Sequence, residues 1–475
     1  MNADTVLEIF KEITAIPRES GHEGPMTAWL QEWASSHGLE CKTDEVNNVL
    51  ITREAAPGKE NVPTLVLQAH QDMVCEKNKG CTHDFLKDPI GYVIKDGWMI
   101  AENTTLGADD GIGIAACLAL LQDSRPTGKI ECLFTISEET GMDGAFGMKE
   151  GFFTGKTLIN LDSEDEGQLF IGCAGGMHTE ISFNVKREPV GEGSVCLKLS
   201  VKDGMGGHSG DDINKGRVNT VQEMARFLYR FIPAGIQLIS IDGGGKSNAI
   251  ARETEAVVAV PSGIADTIRK AFGDFGAVLK EEFHVTDPDV KCVCEDVNCG
   301  CDAIASASAK AVITSLCSCP HGYYAMSQDI PDLVETSTNL ASVHTSEGRV
   351  DIVTSQRSSI TSRLQMIADR VEANFVLAGA EVTHNSAYPG WAPDVKSHIL
   401  KVCVESYRRL FNTEPEVKAI HAGLECGLFL EKFPGLDMIS FGPTLRGVHA
   451  PGERLDLASM DKFVELLDDV VCQFA

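Results

Sequence analysis

The stretch Leu65-Val66-Leu67-Gln68-Ala69-His70-Gln71-Asp72 decides how this chain is read. An apolar run of strand length that stops at His-x-Asp has the continuity of a strand covered on both faces, the pattern of a mostly parallel sheet in an α/β protein. Ligands of such sheets bind beyond the carboxyl ends of the strands. His70 and Asp72, two residues apart, point to the same side there. A histidine at a strand end is also a common hydrogen-bonded structural residue, so a metal site requires further donors along the chain.

Those donors recur. After an irregular stretch to about Leu106, Gly107-Ala108-Asp109-Asp110-Gly111-Ile112-Gly113 leads into an apolar helix over Ile114 to Leu121. Asp109 and Asp110 are placed to cap that helix, but the glycines around them also allow the backbone to approach something closely. A strand alternating Ile130, Cys132, Phe134 and Ile136 ends in Ser137-Glu138-Glu139-Thr140-Gly141, and a short one over Thr157 to Leu161 ends in Asp162-Ser163-Glu164. Near the C-terminus a strand over Asp437 to Phe441 runs on to Gly447-Val448-His449-Ala450-Pro451-Gly452-Glu453. Acids converging on one sheet edge repel one another unless cations neutralise them. Two imidazoles with several carboxylates suit zinc or a similar transition metal. The set is too large for one catalytic ion and matches a pair about 3.5 to 4 Å apart that share a carboxylate.

Composition narrows the partners. The chain has 475 residues, 43% of them hydrophobic, with 41 Lys plus Arg against 69 Asp plus Glu and a net charge of -28. That charge argues against nucleic acid and anionic membranes. No apolar run approaches the roughly 20 residues that cross a bilayer. The N-terminus, Met1 to Ile16, is acidic and helically periodic rather than signal-like, and 16 scattered cysteines read as free thiols, so a cytoplasmic protein is expected.

Residues 4 to 37 read as one or two amphipathic helices broken at Pro17 and the Ser20–Pro25 turn. From about Thr179 to His384 the texture becomes β-rich, with helices over Val218 to Phe231 and Ala265 to Glu282. The α/β pattern then returns, ending in a helix over Ser459 to Phe474. The expected organisation is a catalytic α/β domain, 1–178 and 388–475, whose mostly parallel sheet is flanked by helices, interrupted by an α+β lid at 179–387 made of two units. Gly243-Gly244-Gly245-Lys246-Ser247 lacks the first glycine of a phosphate loop and reads as a turn between lid strands. Cys292, Cys294, Cys299 and Cys301 depart from zinc-knuckle spacing and read as reduced thiols.

Together HQDMV, GADDGIG, SEETG, LDSE, GGHSG and GVHAPGE resemble, in order and over nearly the whole chain, the dizinc amidohydrolases that include carboxypeptidases, aminoacylases and carnosine-type dipeptidases. GMGGHSGDDI, SNAIARE and HAGLECG resemble the aminoacyl-histidine dipeptidase branch. The resemblance implies two zinc ions, with cobalt or manganese as substitutes: one held by His70 and Asp162, the other by Glu139 and His449, with Asp109 bridging. It also implies a cis bond between Asp109 and Asp110. Asp72 would orient His70, and Glu138 would take the proton of a water shared by the ions, whose hydroxide then attacks the peptide carbonyl. His208 would stabilise the oxyanion, while Asn248, Arg357 and Gly423 would contact a small dipeptide of Xaa-His type. A monomer or homodimer is compatible with a lid that supplies His208 in cis. An aminoacylase, carboxypeptidase or tripeptidase remains the enzymatic alternative, and an inactive metal-binding scaffold the non-enzymatic one.

Overall fold

In the computed structural model, which describes residues 1–474, Leu65–His70 is a strand with all six side chains buried. Its neighbours explain the apolar run. It pairs in parallel with Ile130–Thr135 on one side and Thr157–Asn160 on the other. Asp437–Ser440 lies parallel to Thr157–Asn160. The full eight-stranded order is Glu40–Thr43, Val49–Arg53, Ile130–Thr135, Leu65–His70, Thr157–Asn160, Asp437–Ser440, Gln168–Cys173, Glu416–Ile420. Antiparallel pairings appear only toward the edges, where Val49–Arg53 meets Ile130–Thr135 and Gln168–Cys173 meets Asp437–Ser440. Four central strands thus share one direction, and their carboxyl ends form one rim.

Helices Ala3–Ile13, Gly24–Ser36, Ala108–Leu121, His398–Phe411 and Leu457–Gln473 belong to the same unit. Ala108–Leu121 is buried along its entire length, which accounts for a helix without a polar face. The stretch read as irregular before Leu106 holds a hairpin instead. Tyr92–Lys95 and Trp98–Ala101 pair with each other, and the second strand pairs with Arg454–Asp456. Hairpins this short leave little periodicity to read.

The chain packs as two compact units. The first comprises Met1–Gly172, Trp391–Ala419 and residues 424–474; the second comprises Cys173–Gly390 with Ile420–Gly423. The segment around His421 therefore groups with the second unit, whereas the sequence reading placed it in the catalytic domain. The cause is local: the Ala174 backbone N–H donates to the carbonyls of Ile420 and Ala422, and His421 Nε2 lies 2.7 Å from Ser337 Oγ.

Beside a two-stranded pairing of Arg187–Glu188 with Ala303–Ile304, the second unit holds one large antiparallel sheet that runs through both of the two α+β units expected. Its path runs Lys291–Val297, Ser194–Lys202, Thr254–Pro261, Gln237–Gly244, Val334–Thr345, Arg349–Ser358, Gly175–Asn184, Glu381–Tyr388, with Gly322–Met326 attached to Val334–Thr345. The halves are joined where Gly243 and Gly244 pair with Val343 and Ser342, a seam too narrow to show in the sequence. Helices Thr220–Phe231, Ala265–Glu282, Ser306–Ser318 and Thr361–Leu377 share one apolar cluster with the strands, centred on Phe227, Phe272, Leu316 and Phe375.

Cys196 and Cys299 form a disulfide, which corrects the expectation of free thiols throughout. Strand pairing sets Cys196 opposite Val297, so Cys299 arrives beside it across 103 residues of sequence. Cys292, Cys294 and Cys301, near that disulfide in the sequence, are free thiols. Among the described residues no helix is long and apolar enough to cross a membrane.

Candidate active site

The rim of parallel strand ends gathers the first unit's charged residues. His70 closes its strand fully buried, with Nε2 3.0 Å from Asp109 Oδ1 and 3.6 Å from Asp162 Oδ1. The other Asp109 oxygen lies 3.2 Å from His449 Nε2, which is also 3.0 Å from Glu139. One carboxylate therefore faces two imidazoles, one oxygen to each. Donor atoms of His70, Asp109 and Glu139, and separately of His70, Asp110 and Asp162, come within 4.8 Å of one another. Asp110 was not assigned by the sequence reading. Its bond to Asp109 is cis, and its Oδ1 accepts from the Gly113 N–H at 3.1 Å.

Asp72 is buried behind His70. Its carboxylate is 3.3 Å from Nδ1, accepts from Ser20 Oγ at 2.8 Å, and receives the backbone N–H groups of Glu138 and Glu139. The two adjacent glutamates start a single helical turn there. Ser137, in the left-handed region at φ 52°, turns the chain before them, and Glu23 accepts its backbone N–H and hydroxyl.

Two further buried residues, Arg18 and Glu453, hold the loops and went unassigned in the sequence. Arg18 donates to the carbonyls of Gln71, Asp72 and Gly107. Glu453 accepts the backbone N–H groups of Leu106, Gly107 and Ala108. Gly107 sits at φ 70°, and a side chain there would meet Arg18 and Met73. Glu453 closes the GVHAPGE motif, but nothing in the sequence ties it to residues some 345 positions away.

The electrostatics of this set point to cations. Burial, followed by the charges of Glu425, Glu139 and Asp109, pushes the Glu138 carboxyl well above its usual range. Burial and then Asp109 do the same to Asp162. Burial alone would lower His70, but the pull of Asp162 and hydrogen bonds to Asp109, Asp162 and Asp72 raise it well above its ordinary value. His449 is pushed up to about 11, first by Asp109 and then by Glu139. Protons are being drawn to places where divalent cations would relieve the same repulsion. Asp110 Oδ2 is buried without a hydrogen-bond partner. This mixed nitrogen and oxygen donor set fits zinc or a metal like it.

The chain matches peptidase family M20/M25/M40 over residues 66–473. It belongs to that peptidase family. It is 38% identical to the cytosol non-specific dipeptidase of Escherichia coli over 466 residues, covering 98% of this chain and 96% of the relative. The crystal structure of aminoacylhistidine dipeptidase from Vibrio alginolyticus superposes with a TM-score of 0.93 at 37% identity, covering 99% of this chain and 96% of that one. Aminopeptidase PepT from Bacillus cereus shares the fold, with a TM-score of 0.59 at 16% identity over 100% and 99% of the two chains.

The remaining sequence candidates lie in the second unit. His208 is half-buried, with Nδ1 3.4 Å from Asp211, and the Ser209 N–H donates to the Asn248 carbonyl, bringing the two candidates onto neighbouring backbone. An open cavity of about 730 Å³ is lined by both, together with Met205, Lys246 and Arg252. Arg357 is almost fully buried with Nη1 3.4 Å from Tyr388 Oη, and the same ring lies against Gly423. His421, not singled out in the sequence, is buried among them, and burial followed by the Arg357 charge lowers its imidazole to about 3.

Proposed function

We propose that this chain is a cytosolic dipeptidase that uses two divalent ions, zinc by donor chemistry, and takes Xaa-His dipeptides such as beta-alanyl-histidine. The observation that carries the reading is Asp109, held with one oxygen toward His70 and the other toward His449, beside the half-buried Glu138. The relatives named for dipeptide and aminoacyl-histidine cleavage support the substrate class.

His70 and Asp162 would hold one ion, Glu139 and His449 the other, with Asp109 between them. Bound there, the metals would make a water acidic at neutral pH and polarise the scissile carbonyl. Asp72 sits against His70 Nδ1, so that nitrogen carries the proton and Nε2 keeps its lone pair for a metal. Glu138, fixed by its N–H to Asp72, takes the proton of the attacking water and passes it to the leaving amine. In the second unit, we assign the oxyanion to His208, the peptide carboxylate to Arg357, and further substrate contacts to Asn248 and Gly423. The second unit serves as the lid in this reading.

The test compares zinc-loaded wild type with Glu138→Ala at matched metal content on beta-alanyl-histidine, several Xaa-His dipeptides, a tripeptide and an N-acetyl amino acid. Wild type cleaves the dipeptides, and the variant loses roughly 100- to 10,000-fold in kcat while retaining its zinc. Cleavage of only the tripeptide or the N-acetyl substrate would move the assignment to a tripeptidase or an aminoacylase.

A further inference from the structure

A layer of buried polar side chains crosses the first unit's sheet just ahead of the metal-facing rim. Thr135, Gln68, Asn160 and Ser440 come from four neighbouring strands, and each is fully buried. His70 stands opposite Thr135 and Gln68 opposite Asn160, so the layer shares the face that His70 occupies. Ser163, next to Asp162, supplies one end of the layer. Glu425, the first residue of helix Glu425–Lys432, supplies the other.

The hydrogen bonds have a direction. Glu425 Oε2 accepts from Gln68 Nε2 and from Thr135 Oγ1, both at 2.7 Å. With its amide nitrogen so engaged, Gln68 presents Oε1 to Asn160 Nδ2 at 2.6 Å. Asn160 Oδ1 accepts from Ser440 Oγ at 2.5 Å. Ser440 has then committed its one proton and accepts from Ser163 at 2.7 Å. Every donor from Ser163 onward points toward Glu425, where a carboxylate ends the chain.

Two buried acids of this unit, Glu131 and Glu453, are capped on both oxygens, whereas Asp110, among the metal-facing donors, keeps an orphan oxygen. Glu131 receives the N–H groups of Thr154 and Gly155 on one oxygen and the Thr154 hydroxyl on the other, and Glu453 receives three backbone N–H groups. Glu425 Oε1 is buried without a hydrogen-bond partner. An orphan carboxylate oxygen is costly, and a glutamine at 425 would keep both accepted bonds at lower cost. Packing therefore does not explain the acid.

We propose that Glu425 is a positioning residue of the hydrolytic site: its charge terminates the chain that sets the strand ends bearing His70, Glu138 and Asp162, and strengthens their hold on divalent cations. The inference rests on the metal-dependent reading of that rim. Burial pushes the Glu425 carboxyl up to about 7, and its charge is the largest like-charge contribution at Glu138, so it is felt at the rim.

Glu425→Gln separates charge from shape, and Ser440→Ala cuts the chain two links away. Zinc affinity by chelator competition, kcat, KM and the melting midpoint are measured on wild type, both single variants and the double variant. Glu425→Gln weakens zinc binding roughly 10- to 100-fold and lowers kcat at saturating zinc by a similar factor. KM stays within about twofold, as expected for loss of an interaction outside substrate binding. The midpoint of Glu425→Gln holds or rises, opposite to a merely structural role. The double variant loses less than the product of the single losses, because both cut one chain. Wild-type zinc affinity and kcat in Glu425→Gln, or strictly multiplicative losses in the double variant, would overturn the proposal. If wild type binds zinc but cleaves no dipeptide, the functional reading fails, while the zinc-affinity arm still decides Glu425.

Discussion

Each unit buries a polar layer inside its sheet, and the two layers are built from different chemistry. In the second unit the layer on Val334–Thr345 and Arg349–Ser358 is mainly neutral: Gln356 accepts from Thr179 and donates to Thr338 and Thr354, and Thr336 meets Ser358 at 3.0 Å. Its orphan atoms, Asn339 Oδ1 and Arg357 Nε, belong to an amide and a guanidinium rather than to a carboxylate. In the first unit the rim holds His70, Asp72, Asp109, Asp110 and Glu139, and beneath it the chain ends on a carboxylate with an orphan oxygen. Neutral hydroxyls and amides complete a core; buried like charges need a ligand. The difference is one ground for proposing the metal positions in the first unit.

Removing the buried arginine that holds the first unit's rim loops, and a central member of the second unit's layer, gives the sharpest contrast. Arg18→Met strips the carbonyls of Gln71, Asp72 and Gly107 of their donor and leaves Glu453 without its buried counter-charge, a loss of roughly 3 to 5 kcal/mol. Gln356→Leu leaves hydroxyls unpaired and costs about 1 to 3 kcal/mol. Urea unfolding with zinc present measures both, and an equal loss would break the comparison.

Chelation separates the layers next. Withdrawing metal removes about 2.7 kcal/mol of stabilisation if the free ion stood at 100 times its Kd. Amide hydrogen exchange then accelerates around residues 70–72, 107–113, 137–142 and 447–453, while 334–358 keeps its protection. Uniform acceleration in both units would contradict this.

The smallest effect is a pH slope in the second unit. His421 is buried neutral, with a folded pKa of about 3 against an ordinary 6.5. Below pH 6.5 the unfolded chain binds the proton that the folded chain refuses, so stability falls as pH drops toward 3. His421→Gln removes about 1 to 2 kcal/mol of that loss between pH 7 and pH 5. Melting midpoints across that range check it; an unchanged slope in the variant would remove His421 as the cause.

Much of this was legible because strand ends carry their own signal. The apolar run before His70 and the acids after Ile136 and Leu161 announce a covered sheet and its rim, and the structure brings His70, Asp109, Glu139, Asp162 and His449 together there. Alternation reports that a side chain is covered, not by what. Arg18 reaches a carbonyl 89 residues away and Gln68 a carboxylate 357 away, so neither relation leaves a local trace. The second unit hid the continuity of its large sheet behind a two-residue seam and its disulfide behind strand register.

The central claim is that Asp109 joins two metal positions, and native mass spectrometry of wild type beside Asp109→Ala tests it most directly. The account predicts two zinc ions in wild type and loss of at least one, with dipeptide hydrolysis, in the variant. A variant that keeps both ions and its activity would contradict it.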